Sequence, residues 1–173
     1  MRVALTGTPG TGKTTATSGG RLDVPVVHLN EAVRDAGLHG GRDPDRGSLV
    51  ADLDAVREWL DANAPAGDHV VESHLAHRLP ADRVVVLRCR PETLRERLRE
   101  RGESAASARE NAESEALDVV LGEAVAEHGR ERVYEVDATD LSPAAVAAAV
   151  RAVLAGEREP SAGAVDFTDY LQA

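Results

Sequence analysis

Residues 7–14, Gly-Thr-Pro-Gly-Thr-Gly-Lys-Thr, leave this chain few folds to choose from. They fit the pattern G-x-x-x-x-G-K-[ST], a loop that leaves a buried strand, turns several backbone N–H groups onto one anion and enters a helix. Val3, Ala4 and Leu5 read as that strand, and the helix is predicted to start near Lys13. Lys13 would reach the outer phosphates of a nucleotide, and the Thr14 hydroxyl would complete the coordination of Mg²⁺. A glycine-rich turn matching by accident is expected in roughly one per cent of chains this long. Lys13 is also the only lysine, every other basic residue being arginine. A compact ammonium on a thin stem fits a phosphate nest; a planar guanidinium does not.

With 173 residues the chain is long enough for one full α/β domain. Its net charge of −10 and its poverty in lysine suit a surface adapted to very high salt. That balance argues against a broad basic face for nucleic acid. Cys89 is alone, so no intramolecular disulfide is expected, and its apolar surroundings predict a buried thiol. No signal peptide and no apolar run approaching a membrane span stands out, so a cytoplasmic setting without membrane attachment is expected.

Strand-like and helix-like segments then alternate. Strands are predicted at Pro25 to His28, His69 to Ser73, Arg83 to Cys89 and Val133 to Val136. Helices are predicted from an Asn30 N-cap to about Asp35, from Asp52 to Ala62, from Pro91 to Arg101, through Ala126 after a break near Gly102 to Ser107, and from Ser142-Pro143 to Leu154. Ser18-Gly19-Gly20 should end the first helix early, and His39 to Ser48 reads as a polar loop. The alternation implies a doubly wound parallel sheet of about five strands with helices on both faces, and a site at the carboxyl ends of the strands. Residues 1–155 would form this domain. Beyond them lies a mobile tail or one that docks through Phe167, Tyr170 and Leu171.

Other residues extend the site. Glu72 closes an apolar strand, where a carboxylate could orient the metal shell or an attacking water, and His74 follows on the same side. The arginines from Arg88 to Arg101 interleave with glutamates, so most are expected on a solvated helix face. Arg101 precedes Gly102 at the start of a candidate mobile segment, where a guanidinium could swing onto a transferred phosphoryl group. Arg34 is a candidate for an acceptor phosphate.

With Gly-Thr-Pro-Gly-Thr-Gly-Lys-Thr-Thr at 7–15, Glu72-x-His74, and Arg101-Gly102 followed by Asn111 and Glu115, the chain resembles the atypical adenylate kinases implicated in small-ribosomal-subunit maturation. The resemblance implies a P-loop fold with an NMP-binding region around 28–51 and a short lid around 100–110. It implies nucleotide binding by Gly10, Gly12, Lys13, Thr14, Thr15 and Arg101, with Mg²⁺ at Thr14 and Glu72. It further implies phosphoryl transfer from ATP to AMP, ATP hydrolysis, and association with a platform ribosomal protein of the small subunit and its pre-ribosomal particle. The family's second-motif acid is commonly aspartate, and here it is glutamate. The lid lacks the lysines often found there, and the Asp-Gly-aromatic-Pro-Arg run of ordinary adenylate kinases is missing, which favours the atypical branch.

Three readings compete. The chain is a nucleoside monophosphate kinase, an ATP-switched assembly factor, or a small-molecule kinase with another acceptor, since a phosphate loop does not specify the acceptor. A GTPase is excluded by the Asn-Lys-x-Asp motif, which needs a second lysine.

Overall fold

Alternation along the strands decides which way each side chain faces, and it divides the core in two. The computed structural model describes residues 1–42 and 49–172. Strands β1 (Arg2–Thr6), β2 (Val26–His28), β5 (His69–Glu72), β6 (Arg83–Arg88) and β7 (Val133–Asp137) form one sheet in the order β2-β5-β1-β6-β7. All its pairings are parallel. Val3, Leu5, Val85, Leu87, Tyr134 and Val136 face α1 (Lys13–Thr17) and α7 (Pro143–Ala155), burying Ala16, Ala147, Val150 and Val153. Ala4, Val71, Val84, Val86 and Val133 face the other way, against α2 (Leu29–Asp35), α3 (Leu53–Asn63) and α6 (Val119–His128). The doubly wound parallel sheet expected from the sequence is therefore the observed fold. β1 lies at its centre, where connections turn from one side of the sheet to the other, and the carboxyl edge opens there into a crevice.

Local sequence sets the ends of several helices. Asp52 caps α3 by accepting from the N–H groups of Asp54 and Ala55, each at 3.1 Å. Ser142 caps α7 ahead of Pro143, whose missing N–H is no loss in a first turn. Helix α4 (Pro91–Glu100) uses the same first-turn proline and packs Leu94 and Leu98 against Ala108 of α5 (Ala105–Ala116) and Cys89.

Tertiary contacts override local signals at five places. His39–Arg42 is a strand, β3, paired antiparallel with β4 (Leu49–Ala51), so this part of the expected polar loop is extended. Residues 43–48 of that loop, and of the expected NMP-binding region, lie outside the described residues. Asn30 is not a cap: α2 begins at Leu29 behind His28, and the Asn30 amide oxygen instead accepts from the Ser73 hydroxyl at 2.9 Å. The expected long helix is two, α5 and α6, broken where Asp118 takes a left-handed conformation with φ 56°. Leu117 is exposed there.

Arg88 is the fourth. It shares the inward parity of Val84 and Val86, so its guanidinium is buried rather than solvated, in an ion network with Glu115, Asp118 and Glu135. Burial works against this charge, and the surrounding carboxylates, Glu115 first, outweigh it and hold Arg88 protonated. Fifth, the segment after α7, expected as either mobile or docked despite its Gly, Pro and Ser, is held against the sheet. It returns along the free edge of β7, where the Ser161 N–H donates to the Val133 carbonyl at 3.0 Å and Phe167 is buried.

Candidate functional site

The phosphate loop leaves the end of β1 and wraps the Lys13 ammonium. Lys13 Nζ donates to the carbonyls of Gly7 at 2.7 Å and Thr8 at 3.0 Å, and to Thr11 Oγ1 at 3.3 Å. Two glycines are required by contact. A Cβ at Gly7 would overlap the Leu87 carbonyl oxygen, and one at Gly10 would lie 2.9 Å from both Leu94 Cδ1 and Leu98 Cδ2 of α4. The loop is thus seated directly on β6 and α4. Burial pushes the Lys13 ammonium down to about 8, and Glu72 and Glu115 oppose that shift, while Arg101 adds to it. An anion brought to the loop would restore the charge.

Thr14 is exposed in the first turn of α1, and its hydroxyl donates to Glu72 Oε1 at 3.2 Å. The second oxygen, Oε2, accepts from His28 Nδ1 at 2.9 Å. Glu72 is buried, and His28 is its register partner on the neighbouring strand. The longer glutamate side chain therefore reaches Thr14. A hydroxyl and a carboxylate side by side are hard oxygen donors, of the kind that hold Mg²⁺ next to substrate phosphates. The residues present fit that ion.

His74 lies beyond β5, partly buried, and its carbonyl accepts from Thr6 Oγ1 at 3.3 Å. Burial, then the Lys13 charge, push its imidazole down to about 4, so the ring is neutral at physiological pH.

Gly10, Gly12, Thr15, Arg97, Arg101, Ala138 and Leu141 line a cleft of about 360 Å³ that opens beside the phosphate loop. Arg101 is the C-terminal capping residue of α4 and lies exposed on its rim. A larger groove of about 720 Å³ runs between α4 and α5, lined by Arg95, Arg99 and Arg109, but it contains no phosphate-loop residue. The smaller cleft is the one that continues the loop. Arg34 stands apart on α2, exposed and paired with Asp35 at 3.1 Å.

Three residues near the loop escaped the sequence reading in this role. His28 could be found only by knowing that β2 pairs with β5. Thr8, inside the motif at a position any residue can fill, donates from its hydroxyl to the buried carboxylate of Glu115. Glu115 itself stood out only through the spacing from Arg101-Gly102, with no contact to assign to it.

Comparison with known proteins places the chain among close relatives. Residues 3–118 match the AAA-domain family. The chain is 64% identical over 171 residues to a Natronomonas pharaonis protein named "Putative adenylate kinase", covering 99% of this chain and 100% of the relative. A Halobacterium salinarum protein of the same name is 62% identical over 174 residues, covering 99% and 100%. One from Methanothermobacter thermautotrophicus is 44% identical over 171 residues, covering 98% of both. Among solved structures, a shikimate kinase from Bacteroides thetaiotaomicron shares the fold, with a TM-score of 0.59, 17% identity, and 90% and 98% of the two chains covered.

Proposed function

The chain belongs to the archaeal adenylate kinase family that these relatives represent, and we propose that it transfers the γ-phosphoryl group of ATP to AMP. The observation that carries this reading is the convergence of the Lys13 ammonium, the Thr14 hydroxyl and the Glu72 carboxylate at the carboxyl ends of β1 and β5. ATP phosphates bind the loop's N–H groups and Lys13, which neutralises charge that builds on the outer phosphates during transfer. Thr14 and Glu72 would hold Mg²⁺, which would supply further charge neutralisation. The base and ribose occupy the cleft beside Gly12 and Thr15, and Arg101, at the start of the 100–110 lid, closes over the transferred group. The acceptor phosphate enters from the region around 28–51, with Arg34 as its candidate partner. His74, neutral beside Lys13, serves as a hydrogen-bonding neighbour rather than a second cation.

With no acceptor bound, Glu72 can direct a water to the same phosphorus, giving slow ATP hydrolysis. The role in small-subunit maturation implied by the resemblance would use this ATP cycle. The deciding experiment is a coupled assay of the full chain with Mg·ATP against AMP, CMP, GMP and UMP at low and molar salt, with Lys13→Ala as control. AMP as the preferred acceptor supports the reading. Phosphorylation of none of the four overturns it.

A further inference from the structure

A continuous line of buried polar groups joins the phosphate loop to the C-terminal segment. Thr8 Oγ1 donates to Glu115 Oε2. The other oxygen of Glu115 accepts from Arg88 Nε at 2.7 Å and from the Cys89 N–H at 3.2 Å. Arg88 Nη1 donates to Glu135 Oε1, and Nη2 donates to the Asp118 carboxylate and, at 3.2 Å, to the Glu115 carbonyl. Glu135 Oε2 accepts from the N–H groups of Ala164 at 2.6 Å and Val165 at 3.4 Å. The Phe167 ring then covers the guanidinium, with Arg88 Cζ 5.5 Å from its centroid. Arg88, Glu115 and Glu135 are all buried.

One guanidinium here faces three carboxylates, so it is contested. Glu135 leaves part of Arg88 for Glu115 because its own second oxygen is satisfied by N–H groups of residues 164 and 165. Without them, a buried carboxylate oxygen would lack donors, and the cation already bonded to this carboxylate is Arg88, while Arg158 Nη2 donates to the Glu135 main-chain carbonyl at 2.8 Å. Glu115 would lose by that exchange, and with it Thr8 would lose the acceptor that fixes its side chain. The consequence reaches the nucleotide site, because the Thr8 carbonyl is one of the acceptors that seat Lys13 Nζ.

We propose that Glu115 is a positioning residue of the phosphate loop, and that the docked segment 161–167 sets it through Glu135 and Arg88. The C-terminal segment thereby tunes nucleotide affinity in cis. This rests on the reading of the loop as an ATP-phosphate site. It needs no particular acceptor.

The test measures Mg·ATP binding by calorimetry, with melting temperature alongside, in the full chain. The variants are Thr8→Val, Ala164→Pro, Phe167→Ala, and Thr8→Val combined with each of the other two. Ala164→Pro removes the shorter of the two N–H donors to Glu135 Oε2 and keeps the chain length; Phe167→Ala loosens the same segment should the proline variant fail to fold. Thr8→Val should weaken binding about three- to tenfold, the worth of one ordinary hydrogen bond. Each tail variant alone should weaken it in the same direction. The combined variants should bind no worse than about twofold beyond Thr8→Val, because the tail acts through that hydroxyl. Multiplying effects overturn the proposal, as does a tail variant that melts earlier yet binds Mg·ATP like the wild type, or a Thr8→Val protein with unchanged affinity. A wild-type chain that does not bind Mg·ATP overturns the ATP-site reading itself, and this inference with it.

Discussion

His28 and Glu72 stand opposite each other on adjacent parallel strands, and the imidazole Nδ1 holds Glu72 Oε2 at 2.9 Å while Oε1 takes the Thr14 hydroxyl. Both oxygens of this carboxylate are thus oriented by neighbouring side chains. Such a group is prepared to act on a metal or a water.

Glu72→Gln keeps the size and removes the charge. Transfer and hydrolysis should fall by roughly a hundredfold or more, the range for a positioned acid–base or metal-orienting group. Nucleotide affinity should largely persist. His28→Ala should give a smaller loss in kcat, since it frees one oxygen and leaves the charge. Steady-state kinetics with binding measured separately checks both, and equal losses in kcat and affinity would remove Glu72 from the reaction.

Lys13→Ala and Lys13→Arg should both abolish transfer. The ammonium donates to two carbonyls inside a tight loop, and a guanidinium fork does not fit between them. An arginine variant active within a few-fold of wild type would contradict this role.

The charge on Lys13 also predicts a pH dependence. Burial pushes its pKa down to about 8, so the ammonium is mostly charged at neutral pH and neutral well above 8. ATP phosphates favour the charged form. Affinity for Mg·ATP should therefore decline as pH rises through about 8, and binding near or above that pH should take up a proton. For the free protein the sign is opposite: between about 8 and the ordinary lysine value of 10.5 the unfolded chain binds more protons, and Lys13 adds stability as pH rises. Calorimetry in buffers of different ionisation enthalpy reads the proton uptake. Its absence at pH 8.5 would mean that Lys13 does not meet the phosphates.

Arg88→Leu should cost about 3–5 kcal/mol, because it strands the carboxylates of Glu115 and Glu135 without their shared cation. Adding Glu115→Gln and Glu135→Gln to it should recover part of that loss. Chemical denaturation at molar salt is the measurement, since a buried pair is little screened. A loss below about 1 kcal/mol, the ordinary worth of a surface pair, would contradict the burial.

What the sequence displayed and what it hid divide along a physical line. The phosphate loop, the five strands of the main sheet and the proline-led helices are written in neighbouring residues, and each could be read from them. Arg88 was obscured by its surroundings, because a run of arginines and glutamates looks like a solvated helix face and only the parity of β6 turns this one inward. The His28–Glu72 pairing depends on sheet order, which no local pattern carries. Asp118 breaks the α5–α6 run through a long-range ion pair rather than a glycine or proline. In β3, Gly40 and Gly41 offer no apolar alternation, so its pairing with β4 was invisible.

The solitary Lys13 makes this protein an unusual subject for covalent footprinting. Apart from the α-amino group, which is paired with Asp68 at 2.9 Å, it holds the chain's one primary amine, and that amine sits inside the phosphate loop with a depressed pKa. An amine-selective acylating reagent therefore has a single side-chain target. Nucleotide in the loop would shield that target, so site occupancy could be counted as a missing mass increment on the intact chain, under any salt or acceptor condition.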